Sequence, residues 1–482
     1  MFVGVDIGTQ SLKAVVTDDR LSTRAVARQA YAPSFPRPGW AEQAPQLWEA
    51  ALAPTIAAAL AAADARAGDV RGIGLCSQLD GCVAVDRDGE ALGPCLIWMD
   101  RRATAETADV PADLVRRLTG IARDAGHMGA KIRWLKRNGG ARGAARFHQP
   151  VSYVVERLTG AAVIDHALAS TSMLCALAAP RYEGELLARF EIDAAELPRI
   201  AAAAACAGRL HARGARLAGL PEGVPVAVGT GDDFATMLGA GLVAPGRVGA
   251  SLGTGEVVGA LHPAPLIDDE GLVETHAYPA GGYFIENPGW LSGGAVAWLT
   301  GILGLDRPAA LDDLAATAPP GSDGLLFLPC LSGAMAPRWN EAARGCFYGL
   351  TAAHGRAHMA RALLEGTSFA MRDVVDRLTA MGVRTDSLLL LGGGARSRLW
   401  TGIRADVTRR EAATPADADT APKGAALLGA VAADSFSGIA EAAAAIAADG
   451  TVVAPDRAHA AVYDDAYASY RRLFDQLEPL FR

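Results

Sequence analysis

The opening of the chain has the two-residue alternation of a β-hairpin. Apolar positions alternate over Phe2–Ile7 and recur over Leu12–Val16, and the segment between them, Gly8-Thr9-Gln10-Ser11, is rich in turn-forming and hydroxyl side chains. Because successive side chains of a strand point to opposite faces, this pattern predicts two antiparallel strands joined by a polar turn. Asp6 stands near the end of the first strand.

Strands and helices then alternate through the first half of the chain. Helical patterns run from Pro45 to about Arg66 and over 103–118, 129–138 and 150–159. The turn Asp88-Gly89 predicts a second hairpin. Further strands are predicted over Arg24–Tyr31, Arg71–Ser77, Cys82–Asp86, Ala91–Ile97 and Val224–Val228.

The opening pattern restarts near the middle of the chain. The strand-like Arg247–Leu252 is followed by Gly253-Thr254-Gly255, which resembles the first strand and turn. Such a distant repeat predicts two related lobes rather than a solenoid, here 1–244 and 245–482. The last ~30 residues could pack back across the lobes, as terminal helices often dock on a preceding surface. The other elements predicted here are strands at Gly282–Glu286, Leu325–Leu331 and Ser387–Leu391 and helices over 354–381, up to about Val407, and over Thr420–Ala433. The fold class is α/β.

Composition narrows the possible functions. The net charge is −8, and a protein that holds nucleic acid by its phosphates usually has a basic surplus, so we expect no nucleic-acid partner. The seven cysteines show no Cys-x-x-Cys spacing, which argues against a disulfide scaffold or a zinc site. The residues at the start lack signal-peptide character, and no long apolar run occurs, so we expect a cytoplasmic protein without a membrane partner. His127 and His211 have no metal-ligating companions and are interpreted as surface or satisfied side chains.

Two turns have the composition of phosphate-binding loops. In Asp6–Lys13 and Leu252–Gly255, glycine permits close approach, and backbone N–H groups and hydroxyls can bind phosphate oxygens. A carboxylate at a strand end, here Asp6, can hold Mg²⁺ directly or through water. Each turn alone is also typical of an ordinary hairpin, and its interest lies in its recurrence in both halves.

Three further regions could contribute to a functional site, and each also has a purely structural interpretation. Gly392-Gly393-Gly394 could receive adenine or ribose or could be a tight strand–helix turn, and it lacks the Gly-x-Gly-x-x-Gly spacing. Gly231-Asp232-Asp233 could supply a base for a substrate hydroxyl or could cap a helix. Ser77–Gly81 with Trp98–Arg102 suits a polyhydroxyl ligand, but a solvated loop beside a core tryptophan has the same composition.

Taken in order, these segments resemble the FGGY family of carbohydrate kinases, and within it the xylulose-kinase-like branch. Lys131–Asn138 resembles the first family signature, and Gly345–Leu350 with His358–Gly366 resembles the second. Leu328–Gly333 resembles the segment between them. The resemblance runs from Val3 to about Ala433.

This resemblance implies two actin-like (ribonuclease H-like) lobes, formed by duplication of a βββαβαβα core, around a central cleft that binds ATP and a sugar. It implies that Asp232 is the catalytic base and that Asp6 and Asp232 anchor Mg²⁺. The implied contacts with ATP are Gly8, Thr9, Gln10, Ser11, Lys13, Gly253, Thr254, Gly255, Gly393, Gly394, Ala395 and Ser397. The implied contacts with the sugar are Gln78, Leu79, Asp80, Trp98, Asp100 and Asp233.

Departures from the family pattern fall on the sugar side. Leu79 and Asp80 stand where xylulose kinases typically have Met-His, and Ala334 and Met335 replace a charged pair. The prediction is therefore ATP-dependent transfer to a terminal hydroxyl of a ketopentose, foremost D-xylulose. The alternatives are D-ribulose, L-xylulose, erythrulose or a sugar alcohol as acceptor, and a non-catalytic ATP-binding protein of the actin fold. A homodimer is compatible with the resemblance, although no segment demands one.

Overall fold

The computed structural model describes residues 1–446 and 449–481. In these residues the strands are β1 (Phe2–Ile7), β2 (Ser11–Thr17), β3 (Thr23–Ala30), β4 (Glu42–Gln43), β5 (Gly72–Ser77), β6 (Val83–Val85), β7 (Cys95–Leu96), β8 (Arg146–His148), β9 (Val163–Asp165), β10 (Arg199–Ala201), β11 (Cys206–Arg209), β12 (Pro225–Ala227), β13 (Thr230–Gly231), β14 (Gly246–Leu252), β15 (Gly255–His262), β16 (Glu274–Ala277), β17 (Tyr283–Leu291), β18 (Leu326–Leu328), β19 (Cys346–Tyr348), β20 (Thr385–Leu391), β21 (Ala412–Pro415) and β22 (Gly450–Val453). The α-helices are α1 (Pro45–Ala62), α2 (Ala112–Thr119), α3 (Met128–Arg137), α4 (Pro150–Thr159), α5 (His166–Ser170), α6 (Gly184–Phe190), α7 (Ala212–Ala218), α8 (Asp232–Gly239), α9 (Gly293–Ile302), α10 (Pro308–Ala315), α11 (Arg356–Ala380), α12 (Arg398–Thr408), α13 (Thr420–Ala432), α14 (Ile439–Ala444) and α15 (Ala460–Leu477).

The chain forms two compact units that do not follow a single cut. The first unit contains Met1–Val243, Thr275–Tyr283 and Asp419–Ala448, and the second contains Ala244–Glu274, Phe284–Ala418 and Asp449–Arg482. The chain first passes from the first unit to the second between Val243 and Ala244, one residue before the predicted boundary. The return of two later segments to the first unit differs from the predicted division into 1–244 and 245–482.

The first unit is built on a mixed sheet in the order β11-β12-β5-β1-β2-β3, with β13 also paired to β5. Strand β1 runs antiparallel to β2 and parallel to β5, so the predicted hairpin is present. All six residues of β1 are buried. Strands covered on both faces read as near-continuous apolar runs, which explains the composition of β1 and β5.

Helix α13 packs directly on the glycines of this sheet. A Cβ at Gly4 would lie 1.8 Å from the carbonyl oxygen of Pro422, and one at Gly74 would lie 1.8 Å from that of Ala425. Only glycine fits at such an approach, since any side chain would overlap the helix backbone. The small-residue helix predicted over Thr420–Ala433 is thus a covering layer of the first unit.

The second unit repeats this arrangement. Its sheet has the order β17-β15-β14-β20-β21-β22. Strand β14 runs antiparallel to β15 and parallel to β20, as β1 does to β2 and β5. The sequence repeat therefore corresponds to a repeated strand–turn–strand.

Two predicted elements differ in the structure. The helix expected over 103–118 is divided into a short 3₁₀ turn, Thr104–Thr107, and α2, because Pro111 precedes the new helix as its N-cap residue. The second hairpin is reduced to isolated bridges, since β6 pairs with β8 and β7 pairs with β4. The C-terminal residues 449–481, including α15, lie in the second unit, and their packing across the lobes stays a prediction.

No helix in the described part of the chain is both long and apolar enough to cross a membrane.

Candidate active site

The end of β1 forms the first turn of the candidate site. Asp6 pairs with Lys13 across the hairpin, and the Gly8 N–H donates to the Ser11 carbonyl at 3.0 Å. The Tyr31 hydroxyl also donates to the Gly8 carbonyl at 2.8 Å. Asp6 is buried, and its Oδ1 atom has no hydrogen-bond partner.

Three strands bring Asp232 to the same edge of the sheet as Asp6. Parallel pairing places Asp6 opposite Cys76 of β5 and places Thr230 of β13 opposite Cys76 from the other side. Asp232 follows β13 directly and is the first residue of α8, with Gly231 as the N-cap. The carboxyl ends of parallel strands are where α/β proteins bind ligands, so the placement fits the predicted base.

The electrostatics of this edge favour a cation. Burial, opposed by Lys13 and reinforced by Asp419, raises the pKa of Asp6 to about 6. Burial and the carboxylates of Asp233 and Asp6 raise the pKa of Asp232 well above its ordinary range. Carboxylates that raise one another's pKa values in this way are stabilised in their charged form by a bound positive charge.

The donor set fits Mg²⁺. This ion takes one or two protein carboxylates and completes its shell with water and phosphate oxygens. The two carboxylates of Asp6 and Asp232, with the unpartnered Oδ1 of Asp6, match that need. In residues 1–446 and 449–481, no group of three or more His, Cys, Asp or Glu residues could hold a metal ion.

A chain of hydrogen bonds joins the first turn to the predicted sugar segments. The Trp98 indole Nε1 donates to Thr9 Oγ1 at 3.1 Å, and Thr9 Oγ1 donates to Gln78 Oε1 at 3.2 Å. Gln78 Nε2 then donates to Gln43 Oε1 at 2.6 Å, and Gln43 donates back to the Thr9 carbonyl. The Thr9 hydroxyl is therefore oriented by residues of the sugar segments. Trp98 is 47% exposed, so its side chain is accessible to a ligand.

Asp80 lies in a second polar network. Its Oδ1 accepts from Thr171 Oγ1 at 2.8 Å, and its Oδ2 lies 3.0 Å from His127 Nδ1. Its backbone N–H donates to Gln149 Oε1 at 2.8 Å, and its carbonyl accepts from Lys131 Nζ at 2.7 Å. Leu79 contacts the residue before the base, because a Cβ at Gly231 would lie 3.1 Å from Leu79 Cγ.

Asp100 is placed differently from the other predicted sugar residues. Its side chain is fully buried and bonded to the Arg102 guanidinium and to the Ala41 N–H at 2.7 Å. Arg102 also bonds Glu42 and lies 3.6 Å from the Trp40 ring centroid. These contacts favour a role for Asp100 in shaping the loop that carries Trp98, and its direct contact with sugar stays a prediction. Asp233 is half-buried beside Asp232.

The second phosphate turn is exposed at its tip and anchored at its base. Gly253, Thr254 and Gly255 are exposed, while N–H groups at the start of α9 donate to the carbonyls of Gly253 and Thr254 at 2.9–3.1 Å. Glu256, the next residue, is buried in an ion pair with Arg404 of α12. The turn is therefore tied to the helix that follows the glycine-rich segment.

The glycine-rich segment forms a 3₁₀ turn, Gly393–Arg396, between β20 and α12. A Cβ at Gly394 would lie 2.9 Å from Leu252 Cβ, so this segment packs on the strand that precedes the second phosphate turn. Ser397 Oγ accepts from the Trp400 N–H at 3.0 Å and caps α12. A cavity of about 290 Å³ lies beside Leu391, Gly392 and Ala395.

Several residues that build the site were not identified from the sequence. Lys131 is fully buried and bonds the carbonyls of Asp80 and Gly126, and His127, interpreted as a surface or satisfied side chain, contacts Asp80. Lys131 is one of four lysines in the chain, and all the remaining Lys and Arg positions are arginines. The scarcity of lysine could have indicated a specific role for Lys131, because a lysine ammonium fits a narrow site between carbonyl oxygens where the larger guanidinium does not.

The two repeated units, with glycine turns and carboxylates at strand ends, define the class of two-domain α/β phosphotransferases. Models of the FGGY family of carbohydrate kinases match the chain over most of its length, the N-terminal domain at residues 1–239 and the C-terminal domain at residues 248–433. The chain belongs to this family and is a carbohydrate kinase. The predicted family, fold class and enzyme class are confirmed.

Similar proteins include kinases for different acceptors. The chain is 30% identical to a xylulose kinase of Escherichia coli over 490 residues, 100% of both chains. It is 28% identical to a glycerol kinase of Thermococcus kodakarensis, covering 90% of this chain and 88% of that protein. A solved xylulose kinase from Rhodospirillum rubrum superposes with a TM-score of 0.90 and 30% identity, covering 100% of this chain and 99% of that one.

Proposed function

We propose that the protein transfers the γ-phosphate of ATP to a terminal hydroxyl of a ketopentose, foremost D-xylulose, to give D-xylulose 5-phosphate, with Asp232 as general base. The observation that carries this proposal is the placement of Asp232 beside Asp6 at the strand ends of the first unit, next to Leu79. The xylulose kinases among the similar proteins support the choice of acceptor.

Proton transfer to Asp232 is the first part of the proposed reaction. A carboxylate oxygen of Asp232 accepts the proton of the sugar hydroxyl as that oxygen forms its bond to the γ-phosphorus, and the bond from phosphorus to the ADP oxygen breaks. The raised pKa of Asp232 makes its carboxylate a stronger base than an ordinary aspartate once it is ionised.

Nucleotide binding is proposed for the two glycine turns. Backbone N–H groups of Gly8–Ser11 and Gly253–Gly255 would bind phosphate oxygens, and Gly393, Gly394, Ala395 and Ser397 would contact adenosine. Lys13, which is paired with Asp419 at 2.9 Å, adds positive charge near the first turn. Mg²⁺ held by Asp6 and Asp232 would neutralise phosphate charge.

The sugar would lie against Gln78, Leu79, Asp80, Trp98 and Asp233. An exposed indole face covers sugar C–H groups, and amide and carboxylate oxygens accept from hydroxyls. The glycerol kinases among the similar proteins favour a second candidate acceptor, a polyol.

The test is ADP release from ATP and Mg²⁺ with a panel of D-xylulose, D-ribulose, L-xylulose, L-ribulose, erythrulose, xylitol, D-arabitol and glycerol. We expect strong stimulation by D-xylulose. Stimulation by a polyol alone would replace the acceptor and keep the kinase, whereas no stimulation by any acceptor would refute the proposed function.

Asp232→Asn should retain nucleotide binding but lower kcat by at least ~10²–10⁴-fold, the usual contribution of a general base. Asp88→Asn, an exposed turn residue, is the matched carboxylate control and should be unchanged. Near-normal turnover of Asp232→Asn would exclude Asp232 as the base.

A further inference from the structure

The strand that leads to the proposed base is short and follows an interruption of the sheet. β13 consists of Thr230 and Gly231, and Asp232 follows it as the first residue of α8. Gly229 separates β13 from β12, with a φ of 80° and an approach to β5 so close that a Cβ would lie 2.4 Å from the Leu75 carbonyl oxygen. Such a conformation favours glycine. The position of Asp232 therefore depends on how the two residues of β13 are anchored.

The Asp232 carboxylate takes its position from the backbone. Within residues 1–446 and 449–481 it accepts hydrogen bonds from backbone N–H groups alone, and that of Asp233 lies 3.1 Å from Oδ1. Because no side chain orients this carboxylate, the backbone of β13 and α8 must place it. A general base has to come within hydrogen-bond reach of the hydroxyl that it deprotonates, so a shift of this backbone would affect the reaction directly.

A buried hydrogen bond anchors β13 to another part of the first unit. Thr230 Oγ1 donates to Asp165 Oδ2 at 2.9 Å, and these residues are 0% and 1% exposed. Asp165 is itself fixed, because it ends β9 and caps α5, where it accepts from the N–H groups of Ala167 at 3.2 Å and Leu168 at 3.1 Å. Removing the Thr230 hydroxyl would leave both of these N–H bonds in place.

The other end of α5 contacts the segment proposed to bind the acceptor. Thr171, the C-cap residue of α5, donates to Asp80 Oδ1 at 2.8 Å. Gln149 Nε2 donates to the Leu168 carbonyl at 3.0 Å, and Gln149 Oε1 accepts from the Asp80 N–H at 2.8 Å. One short helix therefore connects the anchor of β13 with the acceptor segment.

Two helical threonines of the first unit show what a purely local role looks like. Thr119 Oγ1 donates to the Val115 carbonyl at 2.7 Å, and Thr159 Oγ1 donates to the Val155 carbonyl at 2.8 Å. Each of these carbonyls lies four residues earlier in the same helix. Thr230 differs, because its hydroxyl bonds a side chain 65 residues away in sequence.

We propose that Thr230 and Asp165 are positioning residues of the phosphoryl transfer, which hold the strand leading to Asp232 at the distance from the acceptor segment that proton transfer requires. The inference rests on the proposed function, in which Asp232 is the base, and assigns the contact that places this base. Both residues act through Asp232 rather than by contact with substrate. A displacement of about 1 Å can lower a rate ~10²-fold, so the loss of one anchoring bond should be measurable.

The test compares Thr230→Val and Thr230→Ser with wild type, using the acceptor that the panel identifies. Valine keeps the branched shape and removes the hydroxyl, whereas serine keeps the hydroxyl and removes the methyl group. Thr230→Val should lower kcat about 10–100-fold and leave the KM values for ATP and acceptor within about twofold of wild type. Thr230→Ser should stay close to wild type, because its hydroxyl can still donate to Asp165.

Combination with Asp232→Asn separates positioning from a general loss of stability. If the anchor acts by placing the base, Thr230→Val should change kcat little once the base is absent, because residues that act as a unit are non-additive. A loss of folded protein would instead lower kcat by the same factor in both backgrounds. Adding Thr230→Val to Asp165→Ala should likewise cause no further fall in kcat. Thr119→Val is the matched buried control and should leave kcat unchanged.

The outcomes distinguish this inference from the proposed function. If an acceptor stimulates wild type and Asp232→Asn is impaired, but Thr230→Val keeps its kcat, the inference alone is overturned. An equal loss in Thr230→Ser and Thr230→Val, or an equal factor with and without Asp232, would also overturn it. If no acceptor stimulates wild type, or if Asp232→Asn turns over normally, the proposed function with Asp232 as base is overturned and the inference with it.

Discussion

The buried pair between Glu256 and Arg404 should be the main support of the second phosphate turn. Both side chains are completely buried, and Arg404 Nη2 donates to Glu256 Oε2 at 2.7 Å. Arg404 also donates to Ser292 Oγ at 3.3 Å, and its guanidinium lies 4.4 Å from the centroid of the Trp400 ring. The pair joins the start of β15 to α12.

Removing one partner leaves a buried charge without compensation. Glu256→Ala should therefore destabilise the second unit by about 3–5 kcal/mol, the range for breaking a buried ion pair. Replacing both residues with apolar ones, as in Glu256→Leu with Arg404→Met, should recover most of that loss, because no unpaired charge remains.

Hydrogen exchange gives the assay an internal control. In Glu256→Ala, protection should fall at amides of β14 and β15 and stay unchanged at amides of β1 and β2, the equivalent hairpin of the first unit. The KM for ATP should rise and the KM for the acceptor should not. A Glu256→Ala protein with unchanged protection at β14 and β15 would refute the argument, and so would a double variant less stable than Glu256→Ala.

Two further predictions concern the first unit. Asp165 accepts a hydrogen bond from Thr230 Oγ1 at 2.9 Å, and burial raises its pKa to about 7. Because the carboxyl of the unfolded chain ionises near pH 4, only the folded state keeps the proton between about pH 4 and 7. The free energy of unfolding should therefore fall by about 2–3 kcal/mol between pH 5 and 8. Urea unfolding at both pH values should show that Asp165→Asn loses this difference, and an equal pH dependence in the variant would contradict the assignment. Gly74→Ala should destabilise by about 1–3 kcal/mol or more, as overpacked sites do, because its Cβ would meet the Ala425 carbonyl. Gly68→Ala, where a Cβ meets nothing within 4 Å, is the control, and equal melting temperatures for the two variants would contradict the packing argument.

The repeated hairpins could be predicted from sequence because their signals are local. Alternation over β1 and β14 and the glycine turns after them depend on neighbouring residues. The contribution of α13 to the first unit could not be predicted in this way. From the sequence alone, Gly4, Gly72 and Gly74 should weaken their strands, and their role is seen only when the distant helix α13 packs against them, with Ala425 opposite Gly74. The hairpin expected at Asp88-Gly89 is present only as the antiparallel bridges Cys82 to Leu96 and Val85 to Ala91, and the further partners of β6 and β7 could not be predicted because they lie far away in sequence.

The candidate site shows the same division between local and distant information. Asp6 and Asp232 were found because each follows an apolar strand, and strand ends of a parallel sheet meet at one edge. His127 and His211 both precede a helix in sequence, and nothing in their neighbourhoods separates them. The difference arises only when the fold places Asp80 against one of them, and a carboxylate that fixes a ring is a relation between segments 47 residues apart. The contacts of the Asp80 carboxylate with His127 and Thr171 therefore could not be predicted from the residues around position 80, because each partner comes from a distant segment of the chain.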